Sequence, residues 1–187
     1  MPNRPLCFLA PLCAALTLFL AAGCNGGGGG FSSSSSSSTA TRPVSAKIFL
    51  EINGDPESAA PLPVSKRRVP VTTNPVIAEG DILAVRVQET PPLGYRLIFQ
   101  LRRGVADPDF YALTTKNQGR SLVLALDGQM VAVTKISGPI TNGIVAFYPE
   151  FNPAFTRAET QARAIELAEG INAVSDQITS SLPPSLR

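Results

Sequence analysis

The 187-residue chain contains no histidine, and its three cysteines, Cys7, Cys13 and Cys24, all fall within the first 24 residues. The body of the chain therefore lacks the commonest general base, the commonest metal ligands and a thiol nucleophile. It also has no pair of thiols with which to close a disulfide. Charge is scarce as well: 16 Lys and Arg face 14 Asp and Glu, a formal net charge of +2, with no basic stripe to track a phosphate backbone. Nucleic acid is not an expected partner. There is no Gly-x-Ser-x-Gly elbow, no Ser-x-x-Lys pair and no glycine loop with the lysine needed to cradle phosphate. The close acidic pairs, Glu79 with Asp81 and Asp107 with Asp109, stand where a turn and a helix are expected to start. These absences predict a non-catalytic protein with no cofactor and no metal; a carboxylate-dependent hydrolase is the enzymatic alternative they leave open.

What the N-terminus does have is apolar character. Arg4 precedes an uncharged stretch, residues 6–22, with the layout of a secretory signal and a length at the short edge of what spans a bilayer. It ends Leu20-Ala21-Ala22-Gly23-Cys24, which resembles the lipobox of bacterial lipoproteins, with Ala21 where leucine is usual. The resemblance implies that 1–23 is a lipoprotein signal peptide and that Cys24 is acylated. Acyl chains then hold the mature chain on a membrane, each buried methylene contributing roughly 0.8 kcal/mol. Asn25, in place of aspartate, resembles the pattern for outer-membrane sorting, which implies a place in the cell envelope, on the periplasmic side, at the outer membrane in preference to the inner.

Residues 24–43 form a Gly/Ser-rich tether: five glycines at 26–30, Phe31, then seven serines at 32–38. Nothing in that composition offsets the entropy of ordering a backbone. Its expected reach as a coil is roughly 23 Å.

From residue 44 the texture changes to short β-rich runs between Gly, Pro and Asp. Strands are expected at 46–52, at 81–88 with Ile82, Leu83, Val85 and Val87, and at 95–101 with Leu97, Phe99 and Leu101 on one face. The proline-rich stretch 53–74 reads as a long surface loop whose basic triplet Lys66-Arg67-Arg68 is a candidate contact for acidic head groups or a polypeptide. Asp107, Pro108, Asp109 and Gly119 bracket a helix with Phe110, Leu113 and Tyr111 inward and Lys116 and Gln118 outward. Strands 121–126 and 129–136 flank Asp127-Gly128, a preferred pair for a two-residue hairpin turn. A last strand is expected at 144–148. Thr156 and Glu159 then make a capping box ahead of a helix that buries Ala158, Ala162, Ile165, Leu167 or Ala168, and Ile171. Residues 173–187 are expected to be a disordered tail. The order predicts an α+β fold over 44–172: a two-layer sandwich, its sheet mixed but mostly antiparallel, with two main helices on one face.

The run Phe110-x-x-Leu113-Thr114-x-x-Asn117-x-Gly119-Arg120-x-Leu122-x-x-x-Leu126-Asp127-Gly128 resembles the head subdomain of the first periplasmic domain of SecD and SecDF, membrane proteins of the export machinery. The likeness continues through Val131, Ile136, Pro139-Ile140 and Gly143 and into the alanine-rich helix at 156–172. Val133-Thr134 stands where that family usually has a proline, and the family's membrane helices have no counterpart here. The resemblance implies a module that contacts exported polypeptide or the export machinery. Phe110, Leu113, Thr114, Asn117, Gly119, Arg120, Asp127 and Gly128 are residue types that a core, a helix stop and a tight turn each require, so their expected role is structural. The alternative is a structural envelope lipoprotein that docks on one fixed protein partner.

With acylation as the expected anchor, Cys24→Ser should abolish incorporation of labelled palmitate and move the protein out of the membrane fraction.

Overall fold

The computed structural model describes residues 41–102 and 109–181. Cys24, the tether up to residue 40, Asp107, Pro108 and the tail from residue 182 lie outside the described residues. Strand β1 (Ala46–Leu50) is followed by two 3-10 turns (Pro56–Ser58 and Glu79–Asp81), β2 (Ile82–Thr90), β3 (Gly94–Leu101), helix α1 (Asp109–Lys116), β4 (Ser121–Leu126), β5 (Gln129–Lys135), β6 (Ile144–Phe147) and helix α2 (Arg157–Ser181).

The fold is an α+β sandwich, but its strands form two three-stranded sheets, β1-β4-β5 and β2-β3-β6. Every pairing is antiparallel, so the expected single mixed sheet is corrected. Two pairings are hairpins, whose short connections permit no other direction. The sheets meet where β5 runs beside β6. There the Glu150 N–H donates to the Val131 carbonyl at 2.8 Å and the Thr134 hydroxyl to the Ala146 carbonyl at 2.7 Å. A side-chain hydroxyl thus stands in for part of a backbone ladder.

Strand β3 alternates as expected, burying Tyr95, Leu97, Phe99 and Leu101. Strand β4, the central strand of its sheet, is buried at all six positions. Phe99 and Phe147 meet edge to face, ring centres 5.6 Å apart. They share one core with Ile48, Leu122, Leu124, Phe110 of α1, and Ala168 and Ile171 of α2. At the hairpin tip Asp127 and Gly128 have φ of 48° and 81°, the pair of left-handed residues a type I′ turn requires.

Several expectations are corrected. Strand β1 stops at Leu50, because Glu51 pairs instead with Val71. The stretch 53–74 is not only surface: Leu62 and Val69 are each 3% exposed. Tyr111 points outward at 45% exposure, and Thr114 takes the inward position, satisfying its hydroxyl on the Phe110 carbonyl at 2.9 Å. In α2 the buried face is Ala164, Ala168, Ile171 and Ser175, whereas Ala158, Ala162 and Ile165 are exposed. Small residues take most of that face, which approaches the chain closely at Gly170.

Residues 173–181, expected to be disordered, continue α2. Ser175 and Thr179 make tertiary bonds there: the Ser175 hydroxyl donates to the Ile82 carbonyl at 2.7 Å, and Arg102 Nη2 donates to Thr179 Oγ1 at 2.6 Å. One turn earlier the Asn172 side-chain amide accepts from Val85 N at 2.7 Å and donates to Val85 O at 2.9 Å, imitating a neighbouring strand along β2. Helix α2 also reaches the other sheet through Val44 N, which donates to the Gly170 carbonyl at 3.0 Å.

A Cβ added at Gly170 would lie 2.6 Å from both the Arg42 carbonyl oxygen and Val44 Cγ2. Alanine would gain about 1 kcal/mol of helix propensity, but forcing the strand away costs about 1–3 kcal/mol. Gly170→Ala is therefore expected to lower the urea midpoint of unfolding rather than raise it.

Candidate functional site

The motif residues of the sequence serve the fold. Phe110 and Thr114 are buried, Leu113 packs against the core, and the Thr114 hydroxyl also accepts from Ile140 N at 3.0 Å, pinning the loop after β5 to α1. Asn117 turns its side-chain amide back onto the Leu113 carbonyl at 2.8 Å. Gly119 leaves the helix at φ 85° and donates to the Ile136 carbonyl, while the Arg120 carbonyl accepts from Ile136 N. These contacts attach α1 to the β4–β5 hairpin. Of the set, Asp127 lines a surface depression.

That depression is a cleft of about 440 Å³ between the hairpin tip, the segment after β6 and the start of α2. Val44, Leu126, Val131, Phe151, Phe155 and Leu167 contribute its apolar surface. Its polar rim carries two ion pairs, Arg42 with Asp127 at 3.2 Å and Arg163 with Glu166 at 2.6 Å, both solvent-exposed and so worth little energetically. Asp127 is held by the residue just before β1, since its carboxylate accepts from Ser45 N at 3.0 Å and its N–H donates to the Ser45 carbonyl at 2.8 Å.

Two smaller hollows extend the cleft. One, of 380 Å³, shares Pro63, Glu150 and Asn152 with it and adds Val64 and Pro153. The other, of 240 Å³, shares Phe155 and adds Pro91, Pro92, Tyr95 and Arg157. Together they make a discontinuous apolar track beside residues 149–155. Phe155 joins two of its parts at 41% exposure. It stands just before Thr156, where an apolar residue usually packs against the fourth helical position, but that position is Thr160, which offers no apolar partner. The capping box itself forms, with Glu159 Oε2 accepting from Thr156 N at 2.7 Å. The Thr156 backbone N–H, followed by its hydroxyl, holds the Glu159 carboxyl below its ordinary pKa.

One wall of the track depends on Glu150. Its carboxylate accepts from Val64 N and Ser65 N, each at 2.9 Å, and from the Ser65 hydroxyl at 2.5 Å. Burial raises its pKa, but the Ser65 hydroxyl, the Ser65 and Val64 N–H groups and the Lys66 charge outweigh this and hold it below the ordinary value of 4.5. The basic triplet lies beside this wall and is partly committed to it. Lys66, in a left-handed conformation, donates to the Pro63 carbonyl, and Arg68 donates to the carbonyls of Glu57 and Ala59 at 2.7 and 3.1 Å. The Arg67 side chain is exposed. Sequence reasoning missed Glu150, Phe151 and Phe155; the signal available was an aromatic pair in a proline-bounded loop, Pro149-Glu150-Phe151-Asn152-Pro153-Ala154-Phe155.

The acidic pair Glu79 and Asp81 serves a turn: Asp81 accepts from Ala78 N at 2.9 Å, and Glu79 accepts from the Ser45 hydroxyl. Among the described residues no group of three Asp, Glu, His or Cys converges as metal ligands, no charged residue is buried, and no helix is long and apolar enough to cross a membrane.

No family model matches the chain. Over 111 residues it is 32% identical to protein translocase subunit SecD of Thermobaculum terrenum, a match covering 59% of this chain and 20% of that subunit. Among solved structures, SecDF, a membrane component that enhances protein export, superposes with a TM-score of 0.51 at 14% identity, covering 71% of this chain and 64% of that one. SecDF in a super-membrane-facing form gives the same score and identity over 19% of its length. The structural likeness concerns the fold; with the SecD match it makes the folded part a SecD/SecDF-like domain. The chain spans about a fifth of the SecD subunit.

Because the folded pKa of Glu150 lies below its ordinary value, the stability it contributes is complete above about pH 4.5 and is lost as pH falls through the lowered value. Glu150→Gln should cost about 1 kcal/mol at pH 7, charged hydrogen bonds discounted for solvent screening. In urea denaturation at a series of pH values, the gap between the two proteins should close below that range.

Proposed function

We propose that this SecD/SecDF-like domain binds apolar segments of exported polypeptide in the cleft between the hairpin tip and residues 149–155, without catalysis, while acylated Cys24 holds it to a membrane of the cell envelope. The observation that carries the reading is the half-exposed Phe155, which links the cleft to the neighbouring, mainly apolar hollow. Its exposed ring offers apolar area that a bound segment would remove from water. The mixed polar rim suits many sequences and specifies none, as a binder of varied chains requires. The outer strands of both sheets already hold partners: β1 bonds to residues 70–77, and β2 to Asn172 and Ser175. Binding through side chains therefore has more to offer a polypeptide than strand addition. The similarity to SecD and SecDF supports a place in protein export.

Photo-crosslinking probes at Phe155 and Val64, in cells, are expected to capture many different exported chains, and a probe at exposed Lys116 of α1 to capture few. One abundant partner in fixed stoichiometry would overturn the reading in favour of a docking lipoprotein. Phe155→Ala should weaken binding of an unfolded exported protein about tenfold, the effect of removing an aromatic anchor.

A further inference from the structure

Strands β2 and β3 are joined by a hairpin whose tip is apolar. The most exposed large apolar side chain among the described residues is Leu93, at 69%. It follows Pro91 and Pro92, both exposed, and no residue from Thr90 to Tyr95 is charged. Proline has no backbone N–H, so of these three tip residues only Leu93 brings a donor that would lose water on entering an apolar medium. The register of the sheet decides what stands behind the tip. Gln88 pairs with Arg96 and Arg86 with Ile98, and these four turn to the face opposite the core side chains Val87, Leu97 and Phe99. On that face β2, β3 and β6 carry two arginines and no carboxylate, the remaining positions being Ala84, Gln100, Ile144 and Ala146. Arg96 is held by two bonds to Gln88 Oε1, at 3.0 and 2.6 Å, which leave its charge unneutralised. Glu89, the acid nearest the tip in sequence, shares the opposite face with buried Tyr95 and is paired with Arg157.

We propose that this hairpin tip enters the interface of an anionic lipid bilayer, with Leu93 among the upper acyl chains and Arg96 and Arg86 over the phosphates. The dimensions fit. Three residues of strand put Arg96 about 10 Å from Leu93, and a head-group layer is about 5–7 Å deep, within reach of a long arginine side chain. A convex tip offers a peptide no pocket, whereas a bilayer deforms around it and removes Leu93 from water. A second copy of the chain would bring the same two arginines and no acid, so pairing of two such faces is repelled. The contact does not depend on polypeptide capture; it fixes which side of the domain faces the membrane.

The chain has no tryptophan, so Leu93→Trp supplies a single fluorescent reporter. The full chain is reconstituted in vesicles of phosphatidylglycerol or of phosphatidylcholine, with ordinary or brominated acyl chains. In phosphatidylglycerol the emission of Leu93→Trp is expected to shift to the blue and to be quenched by the brominated chains; in phosphatidylcholine quenching should be several-fold weaker. A reporter placed by Tyr111→Trp on α1, which follows the far end of β3, should be quenched in neither. Added to the reporter chain, Arg96→Gln and Arg86→Gln should each weaken insertion about fivefold, and salt should act likewise. Emission from Leu93→Trp that brominated chains leave unchanged would overturn the proposal. A blue shift that grows with protein density, without such quenching, would put a second copy at the tip instead. Flotation with the vesicles reports attachment of the whole chain, so unquenched protein that floats overturns insertion of the tip and leaves the anchor standing.

Discussion

The structure depends on how closely helix α2 approaches the backbone of Arg42 and Val44 at Gly170. There helix α2 holds both sheets: Val44 N is bonded to the Gly170 carbonyl on one side, and Asn172 and Ser175 are bonded to β2 on the other. A side chain at residue 170 would force the two apart. The same constraint explains why the helix turns alanine, glycine and serine inward. A helix lined with leucine would sit about 10 Å from its neighbours, too far for side-chain amides and hydroxyls to reach β2.

The cleft follows from this arrangement. Helix α2 is held at Gly170, and its first turns are tied to β2 and β3 by Arg157 with Glu89 and by the Tyr95 hydroxyl on Gln161, which sets Phe155 and Leu167 on one side of a space whose other side is the hairpin tip. Asp127 belongs to the turn and the rim at once, because the type I′ geometry projects a carboxylate that Ser45 and Arg42 both engage. The wall opposite is tied by Glu150, whose N–H holds β5 and whose carboxylate holds residues 64 and 65.

Exposed ion pairs and a half-exposed aromatic suit transient contact with an apolar segment better than tight recognition of one ligand. Rim pairs contribute little affinity and are screened by salt, whereas Phe155 and Phe151 offer area that any apolar side chain can use.

The local grammar of the chain was decisive for its local structure. Asp127-Gly128 dictated the turn, Thr156 with Glu159 the start of α2, the alternation of Tyr95, Leu97, Phe99 and Leu101 the buried face of β3, and Gly119 the end of α1, because each depends on backbone geometry or periodicity within a few residues. The motif from Phe110 to Gly128 likewise marked the SecD/SecDF-like fold before any coordinates. What only the tertiary structure decided was long-range. The division into two sheets hangs on the Thr134 hydroxyl and Glu150 N–H, the extension of α2 to Ser181 on bonds from Ser175 and Thr179 across the fold, and the inward face of that helix on a close approach at Gly170. The cleft is assembled from residues as distant in sequence as Val44, Val131 and Leu167. Periodicity and composition describe neighbours along the chain, and a site made by the docking of separate elements leaves no pattern at that range.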